Sequence, residues 1–210
     1  MIENPEESKR LADAASARIL LISDSHGAPG ILKFILSHKA HDCDALVFAG
    51  DGLQDLFLIY STNPELFPKT VCFVRGNNDG MYYSLDIEGE NKYINIPDTD
   101  ILKAAGHRIF VAHGHRSNVY IGTAPLASQA KRLNCDIACF GHIHFAYEEI
   151  KEGIKIINPG SCSRPRGGQP PVFAILNLQK GSSTVETEFF EIKSSDCVPF
   201  EAKTNPYSLQ

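Results

Sequence analysis

Short apolar runs that end in polar residues recur along the chain. Five of them are Ile19–Ser23, Ala45–Ala49, Thr70–Val74, Arg108–Ala112 and Asp136–Phe140. Runs of this length that are rich in β-branched residues are typical of strands buried on both faces, as in a parallel sheet under helices. Asp, Asn or His follows each run, and open α/β sheets place their ligands at the carboxyl ends of strands. The pattern therefore predicts a site at one edge of a buried sheet.

The remaining segments complete an α/β pattern. Helices are predicted at residues 31–39, Leu53–Tyr60 and Ala124–Leu133. A β-rich meander is predicted at residues 81–106, and further strands at Ile154–Ile157, Val172–Leu178 and Val185–Ile192. Strands and helices alternate in the first half of the chain, whereas the second half is richer in strands. This arrangement favours two sheets packed face to face with helices outside, an α/β sandwich.

The chain of 210 residues fits one compact domain with a short segment at each end. Residues 1–17 are predicted to be a polar N-terminal leader, either a short surface helix or a poorly ordered terminus. Residues 18–193 are predicted to form the domain, and residues 194–210 a peripheral C-terminal tail.

Composition and charge limit the classes of binding partner and the cellular compartment that we expect for this chain. The net charge is -5 and no basic run stands out, which argues against a nucleic-acid-binding surface. The six cysteines are scattered, and charges throughout the first 18 residues speak against a signal peptide. We therefore expect a cytoplasmic protein with free thiols. No apolar run approaches the length of a membrane span, so no membrane partner is expected.

Seven polar residues that follow predicted strands are candidates for one site. They are Asp24, His26, Asp51, Asn77, His113, His142 and His144. Taken singly, these residues can have a purely structural role, because Asp and Ser often cap helices and a Gly-Asn-Asn-Asp-Gly run often forms a turn. Seven independent caps or turns at strand ends are a poor explanation of the whole set. Three further histidines, His38, His41 and His107, follow no predicted strand and are predicted to be surface residues.

The chemistry of this set indicates metal binding. Asp24 and His26 stand two apart in an extended segment, so their side chains can present an oxygen and a nitrogen to one ion. Carboxylate, imidazole and amide ligands without thiolate suit Mn, Fe, Zn or Co. The set is too large for one tetrahedral ion and suffices for two ions about 3.5–4 Å apart that share a carboxylate, a geometry that serves phosphate-ester displacement.

The ordered motifs resemble those of the calcineurin-like metallophosphoesterase superfamily. They read DSHG, GDG, GNND, HGH and GHIH between Asp24 and His144. The NPGS and PRGG stretches that follow are similar to those of small single-domain prokaryotic phosphodiesterases. The resemblance implies a four-layer α/β/β/α sandwich of two mixed sheets flanked by helices. It also implies a metal-dependent phosphodiesterase that acts on a small phosphodiester. A homo-oligomer is compatible with the resemblance.

The resemblance also assigns roles by position. Asp24, His26 and His144 would hold one metal, and Asn77, His113 and His142 the other. Asp51 would bridge the ions, and a metal-bridging hydroxide would attack phosphorus in line. The ions are expected to be Mn²⁺ first, with Fe, Zn, Ni or Co as alternatives.

Further residues around the ligand set are assigned supporting roles. His115 would support a ligand or contact substrate, and Arg75 would touch a phosphate oxygen unless it is simply solvated. Asn158 and Ser161 are candidates for support through backbone turns.

One position departs from the family pattern. Many relatives carry a His after the ligand Asn and use it as a general acid, but Asn78 stands there in this chain. A neutral amide does not donate a proton usefully near pH 7. The departure argues against efficient phosphoprotein phosphatase activity and leaves metal-dependent hydrolysis in place.

Two alternatives to the phosphodiesterase interpretation follow from the same resemblance. Some relatives are nucleases, although the acidic charge of this chain speaks against nucleic acid as the substrate. A retromer subunit of this fold is a protein-binding scaffold with degraded metal ligands. All seven ligand positions carry competent side chains here, so the metal-poor scaffold ranks below the enzyme.

Overall fold

The computed structural model describes residues 4–87 and 90–202, without the side chains of residues 86, 87, 90 and 91. The helices of these ranges are α1 (Pro5–Asp13), α2 (Pro29–Lys39), α3 (Leu53–Thr62) and α4 (Ala124–Arg132). None of them combines the length and the apolar character that a bilayer crossing requires.

The first large sheet has six strands in the order β13-β12-β11-β1-β2-β3. Their bounds are β1 (Ser16–Ile22), β2 (Ala45–Phe48), β3 (Thr70–Phe73), β11 (Val172–Gln179), β12 (Glu186–Ile192) and β13 (Cys197–Phe200). Strands β1, β2 and β3 are parallel, whereas β11, β12 and β13 join antiparallel. Crossover helices separate the parallel strands, as parallel pairing requires.

The second large sheet has five strands in the order β6-β7-β8-β10-β9. Their bounds are β6 (Thr99–Ala104), β7 (His107–Ala112), β8 (Ile137–Cys139), β9 (Ala146–Lys151) and β10 (Ile154–Pro159). A separate hairpin of β4 (Tyr82–Ile87) and β5 (Glu90–Asn95) lies beside α3. The predicted meander thus forms this hairpin and the edge strand β6.

Alternation along the strands creates the layers. Ile19 and Leu21 of β1 lie in the core cluster between the two sheets, together with Ile109 of β7. Leu20, one position away, points to the opposite face and packs in the cluster that contains residues of α2 and α3. On the second sheet, Phe110 faces the cluster that contains residues of α4. Because neighbouring residues alternate between faces, each sheet is covered on both sides. The predicted four-layer α/β/β/α sandwich of two mixed sheets is confirmed.

The ends of the described chain are attached to the sheets. Helix α1 is the helical alternative predicted for the N-terminal segment, and its Leu11 is buried against the inter-sheet core. The Leu11 carbonyl also accepts a hydrogen bond from Ala105 N. Strand β13, within the predicted tail, pairs with β12 at the edge of the first sheet. Residues 1–3 and 203–210 of the predicted leader and tail lie outside the described residues.

One prediction about the surface is wrong. His107 is buried, with only 7% of it exposed, whereas His38 and His41 are exposed as predicted. The His107 Nδ1 atom lies 2.5 Å from Asp136 Oδ2, and its Nε2 atom lies 3.2 Å from the Gln179 carbonyl oxygen. The ring therefore joins the second sheet to the first, a contact between residues 72 positions apart that no local pattern signals.

Leu21→Ala should lower the free energy of unfolding by about 2–5 kcal/mol, because it opens a cavity between the two sheets. The matched control is Leu58→Ala on α3, where the side chain is 53% exposed and the change should stay within about 0.5 kcal/mol. Chemical denaturation followed by circular dichroism measures both. Equal losses in the two variants would contradict the layered core.

Candidate metal centre

The polar residues that follow the parallel strands converge on one edge of the two sheets. Asp24 and His26 follow β1, and Asp51 follows β2. His113 follows β7, and His142 follows β8. Six of the seven predicted ligands form two groups of potential metal donors: Asp24, His26 and His144, and Asp51, His113 and His142. The edge also contains a cleft of about 530 Å³.

In the first group the donor atoms meet at short distances. Asp24 Oδ1 lies 3.2 Å from His144 Nε2 and 3.7 Å from His26 Nε2. The two imidazole Nε2 atoms are 2.9 Å apart. Three donors from two strand ends thus surround one point.

The second group lies beside the first, and Asp51 faces both. Asp51 Oδ2 is 3.3 Å from His113 Nε2 in its own group and 3.8 Å from His26 Nε2 in the other. His142 Nδ1 completes the second group at 3.2 Å from His113 Nε2. The Asp51 carboxylate therefore lies between the two groups.

Backbone carbonyls fix the orientation of two of the imidazoles. The His113 Nδ1 atom lies 2.7 Å from the Ala49 carbonyl oxygen, and His144 Nδ1 lies 2.7 Å from the Arg164 carbonyl oxygen. Because a carbonyl oxygen can only accept, Nδ1 carries a proton in both rings, so Nε2 offers the lone pair whenever the ring is neutral. Histidines that bind metals usually donate their other nitrogen to such a partner.

An unpartnered buried oxygen shows that the residues present fit a cation. Asp24 is fully buried, and its Oδ2 accepts from Ser23 Oγ at 2.6 Å and from His142 N at 3.1 Å. Its Oδ1 atom has no hydrogen-bond partner among the described residues. Buried carboxylate oxygens without a partner are rare because desolvation of the charge is costly. A metal ion beside His26 and His144 would satisfy this oxygen.

Backbone strain is concentrated at the same residues. Nine non-glycine residues in the described ranges have positive φ angles, and five of them are predicted ligands. These are Asp24, His26, Asp51, His142 and His144, with φ between 44° and 69°. This left-handed conformation is sparsely populated, costs on the order of 1–3 kcal/mol per residue and clusters at functional sites. The backbone at these five residues therefore adopts a conformation of higher free energy that places their side chains at the site.

The charges of the site are coupled. Burial raises the pKa of Asp24, but the contacts of its carboxylate with the imidazoles of His144 and His26 outweigh it and hold the pKa well below its ordinary value. Burial likewise lowers the pKa of His113, yet the contacts with Asp51 and the charge of Asp24 raise it. Burial and the positive charge at His113 lower the pKa of His142 to about 4. His142 is therefore neutral near pH 7, as a ligand must be.

Close approach of the backbone explains two glycines around Asp51. A Cβ atom on Gly76 would lie 2.0 Å from Asp51 Oδ1. A Cβ atom on Gly50, where φ is 92°, would lie 2.6 Å from Gly76 N. Only glycine allows the ends of β2 and β3 to approach this closely.

Two acidic residues that sequence reasoning missed hold the strand-end loops. Asp79 accepts hydrogen bonds from the backbone N–H groups of Asp51, Gly52, Leu53 and Gly76 at 2.7–3.0 Å. Its position in the GNND turn was the available signal.

Asp55 has the same function on the other side of the cleft. Its Oδ2 accepts from Ser25 Oγ at 2.6 Å and from the N–H groups of Gly27 and Ala28 at 2.9 Å and 3.1 Å. Asp55 is buried on a face of α3 that is otherwise apolar. A single acidic residue on an apolar helix face was the feature of the sequence that could have identified it.

The two asparagines of the GNND turn both line the cleft. Asn77, the seventh predicted ligand, lies beside the two donor groups. Asn78 donates from its backbone N–H to Asp51 Oδ1 at 2.8 Å and from its side-chain amide to Asp51 Oδ2 at 2.6 Å. Asn78, which stands where many relatives have a general acid, thus contacts the carboxylate of Asp51.

The other predicted site residues lie outside the cleft lining. The Arg75 guanidinium is bound by Asp98, with its Nη2 atom 2.7 Å from Oδ1, and Asp98 also pairs with Arg116. This ion pair offsets the charge of Arg75 and occupies its Nε and Nη2 atoms. The ring centroid of His115 lies 5.5 Å from that of His113, and burial followed by the charge of His113 lowers its pKa.

The loop after β10 supports the site and contributes residues that the sequence argument did not assign. Asn158 Nδ2 donates to the Gly141 carbonyl at 2.8 Å, and Ser161 Oγ donates to the Asp24 carbonyl at 2.7 Å. Arg164 and Arg166 line the cleft, together with Tyr120 from the segment after β7. The PRGG stretch was noted as a resemblance, but no function was attached to its arginines.

The four-layer fold and a cleft lined by carboxylate and imidazole donors place the chain among metal-dependent hydrolases. Residues 18–181 match the family model of the calcineurin-like phosphoesterase superfamily domain. The chain belongs to this superfamily and is a metal-dependent phosphoesterase. The predicted resemblance is thereby confirmed.

Two relatives agree with this assignment, and a solved structure shares the fold. A probable metallophosphoesterase of Bacillus subtilis is 32% identical over 167 residues, which cover 80% of this chain and 88% of that protein. A phosphodiesterase of Methanocaldococcus jannaschii is 28% identical over 172 residues, covering 78% and 94%. Vacuolar protein sorting 29 from Cryptosporidium parvum aligns with a TM-score of 0.69 and 20% identity over 90% of this chain and 100% of that one. At that identity the last comparison shows the fold alone.

Asp79→Ala should lower the free energy of unfolding by about 2–4 kcal/mol, because it removes the acceptor of four backbone donors around Asp51. Asp79→Asn is the matched control, since it keeps one acceptor oxygen and should lose less. Denaturant titration of the metal-free proteins measures the difference without contributions from bound ions. If both variants were as stable as the parent, Asp79 would not hold these loops.

Proposed function

We propose that this enzyme binds two divalent transition-metal ions and hydrolyses a small phosphodiester. The observation that carries the proposal is the position of Asp51, whose Oδ2 atom faces His26 at 3.8 Å and His113 at 3.3 Å. One ion would be held by Asp24, His26 and His144, the other by Asn77, His113 and His142, with Asp51 between them. Mn²⁺ is the first candidate and Fe, Zn, Ni or Co are alternatives, because the donors are oxygen and imidazole nitrogen.

The protein's own part in the reaction is to hold the donors in place. When bound, two such ions would neutralise the charge of the phosphate and acidify a water for in-line displacement. His113 and His144 keep their Nδ1 protons on backbone carbonyls, so their Nε2 lone pairs are directed to the ion sites. Asp79 and Asp55 bind the loops that carry Asp51 and His26. Mutation of residues that orient metal ligands in this way typically lowers metal affinity or activity about 10–100-fold.

The size and chemistry of the cleft support a small diester as the substrate. A volume of about 530 Å³ is in the usual range for small-molecule sites. Asn78 contacts Asp51 but carries a neutral amide, so it cannot protonate a leaving group. His115 beside His113 is the imidazole to test as a substitute donor. The cytoplasm is the proposed compartment, which the free thiols of all six cysteines support.

A protein-binding scaffold is the second candidate. The likeness to vacuolar protein sorting 29, with a TM-score of 0.69, shows that this fold occurs in a protein named for sorting and not for hydrolysis. Fold alone does not decide between the two functions. The unpartnered buried oxygen of Asp24 favours the enzyme, because a scaffold has no need of it.

Metal content and turnover test the proposal together. Protein loaded with Mn²⁺ should contain two ions per chain and release p-nitrophenol from bis(p-nitrophenyl) phosphate. Asp51→Asn should lose metal from both positions and reduce kcat/KM by more than about 100-fold, the upper end for outer-shell partners. The matched control Asp42→Asn changes a carboxylate that is 59% exposed and should keep both properties. Saturation at one ion, or normal activity of Asp51→Asn, would refute the shared-ligand arrangement.

Turnover should depend strongly on the leaving group. With Asn78 in place of an acid, the alkoxide departs nearly unassisted, and general acid catalysis is typically worth 10²–10⁴-fold. Nitrophenyl diesters should therefore react much faster than alkyl diesters, and Asn78→His should help poor leaving groups more than good ones. The measurement is kcat/KM against leaving-group pKa for the parent and this variant. A flat series for the parent, with chemistry rate-limiting, would mean that another residue such as His115 supplies the proton.

A further inference from the structure

Two arginines border the metal centre, and nothing in the reaction outlined above uses them. Arg164 and Arg166 lie on the loop after β10 and line the same cleft as His26, Asp51 and His144. Both side chains are exposed. We propose that they form a subsite for a second phosphate, so that the preferred substrate is a phosphodiester that carries a further phosphate group. This inference rests on the proposed phosphodiesterase function.

The loop that carries the arginines is bound to the backbone of the predicted ligands. The Arg164 carbonyl accepts from His144 Nδ1 at 2.7 Å, and Arg166 N donates to the His144 carbonyl at 2.9 Å. Ser161 Oγ donates to the Asp24 carbonyl at 2.7 Å and accepts from Arg164 N at 2.8 Å. The backbone positions of both arginines are therefore fixed relative to the ion sites.

A buried glutamine closes the far end of this loop. Gln169 accepts from Ala146 N through Oε1 at 2.6 Å and donates to the Ala146 carbonyl through Nε2 at 2.9 Å. These two bonds replace the pairing that a neighbouring strand would give to the start of β9. Hydrogen bonds therefore hold this loop in place as one wall of the cleft.

The side chains themselves are held by neutral groups. Arg164 Nη2 donates to the His26 carbonyl at 3.2 Å, and Arg166 Nη1 donates to Tyr120 Oη at 2.6 Å. Tyr120 Oη in turn donates to the His142 carbonyl at 3.2 Å. Each guanidinium has five N–H donors, so most of them are left for a ligand.

No acidic side chain among the described residues offsets the charge of the two arginines. Neither guanidinium forms an ion pair with a carboxylate of the described residues. Arg75 and Arg116 show the contrast, because both pair with Asp98. In a chain with a net charge of -5, two such cations in the lining of one cleft form a local positive surface that would attract an anion.

The scissile group does not supply enough charge to be that partner as well. A phosphodiester carries one negative charge, and two divalent ions at the donor clusters would already bind it. Guanidinium groups match the geometry of phosphate oxygens and bind them through paired charge-assisted hydrogen bonds. A phosphate monoester elsewhere in the substrate fits both the charge and the donors of Arg164 and Arg166.

Two substrates with the same leaving group test the subsite. One is the p-nitrophenyl ester of thymidine 5′-phosphate, and the other is the same compound with an added 3′-phosphate. The ratio of their kcat/KM values, phosphorylated over plain, should exceed about 10 in the parent and fall at least tenfold in Arg164→Gln/Arg166→Gln, as expected for lost charge-assisted bonds. The control Arg132→Gln removes an exposed arginine on α4 and should keep the ratio of the parent.

Two results would overturn the inference. A parent ratio of one or below would mean that no second phosphate is recognised. An unchanged ratio in the double variant, with both substrates slowed equally, would assign the arginines to the scissile phosphate. Thermal denaturation of the double variant checks that it folds.

Binding keeps this test separate from the proposed function. Calorimetry with metal-loaded protein should show tighter binding of thymidine 3′,5′-bisphosphate than of thymidine 5′-phosphate, and the double variant should lose the difference. If the parent hydrolysed neither ester, the proposed function would fail while calorimetry would still judge the subsite. Equal affinities of the two nucleotides for the parent would refute the subsite even in an active enzyme.

Discussion

Two buried carboxylates surrounded by imidazoles are the constraint on which the rest of the structure depends. Asp24 is fully buried with one unpartnered oxygen, and Asp51 is 2% exposed between two imidazole clusters. Buried charge is tolerated when it is paired or binds metal. Without an ion, the carboxylates raise the pKa of His113 against the effect of its own burial. The two carboxylates therefore favour the protonated form of the imidazole beside them.

The surroundings of these carboxylates show how the fold accommodates them. Left-handed backbone at five of the predicted ligands and a close contact at Gly76 oppose folding locally. Asp79 and Asp55 offset this by accepting backbone hydrogen bonds from the loops involved. The inter-sheet core, with residues such as Leu21, supplies the stability on which the site relies. Site and core are therefore separate in space but coupled in free energy.

The same fold serves proteins of different function, so the site must carry the functional argument. The likeness to vacuolar protein sorting 29 concerns the sheets and helices. The membership in the phosphoesterase superfamily rests on the sequence match over residues 18–181. The geometry adds one carboxylate that faces two donor groups, and two arginines in the cleft lining that have no acidic partner among the described residues.

The sequence by itself determined the strands, the sandwich and the types of donor, because alternation, apolar run length and strand-end residues are local properties. It could not determine contacts between residues far apart in the chain. The burial of His107 against Gln179, the capture of Arg75 by Asp98 and the arginines of the cleft wall all arise where distant loops meet. The position of Asp51 between the clusters has the same origin, since His26 and His113 come from strands of different sheets. Only the packing of the two sheets brings those strand ends to one point.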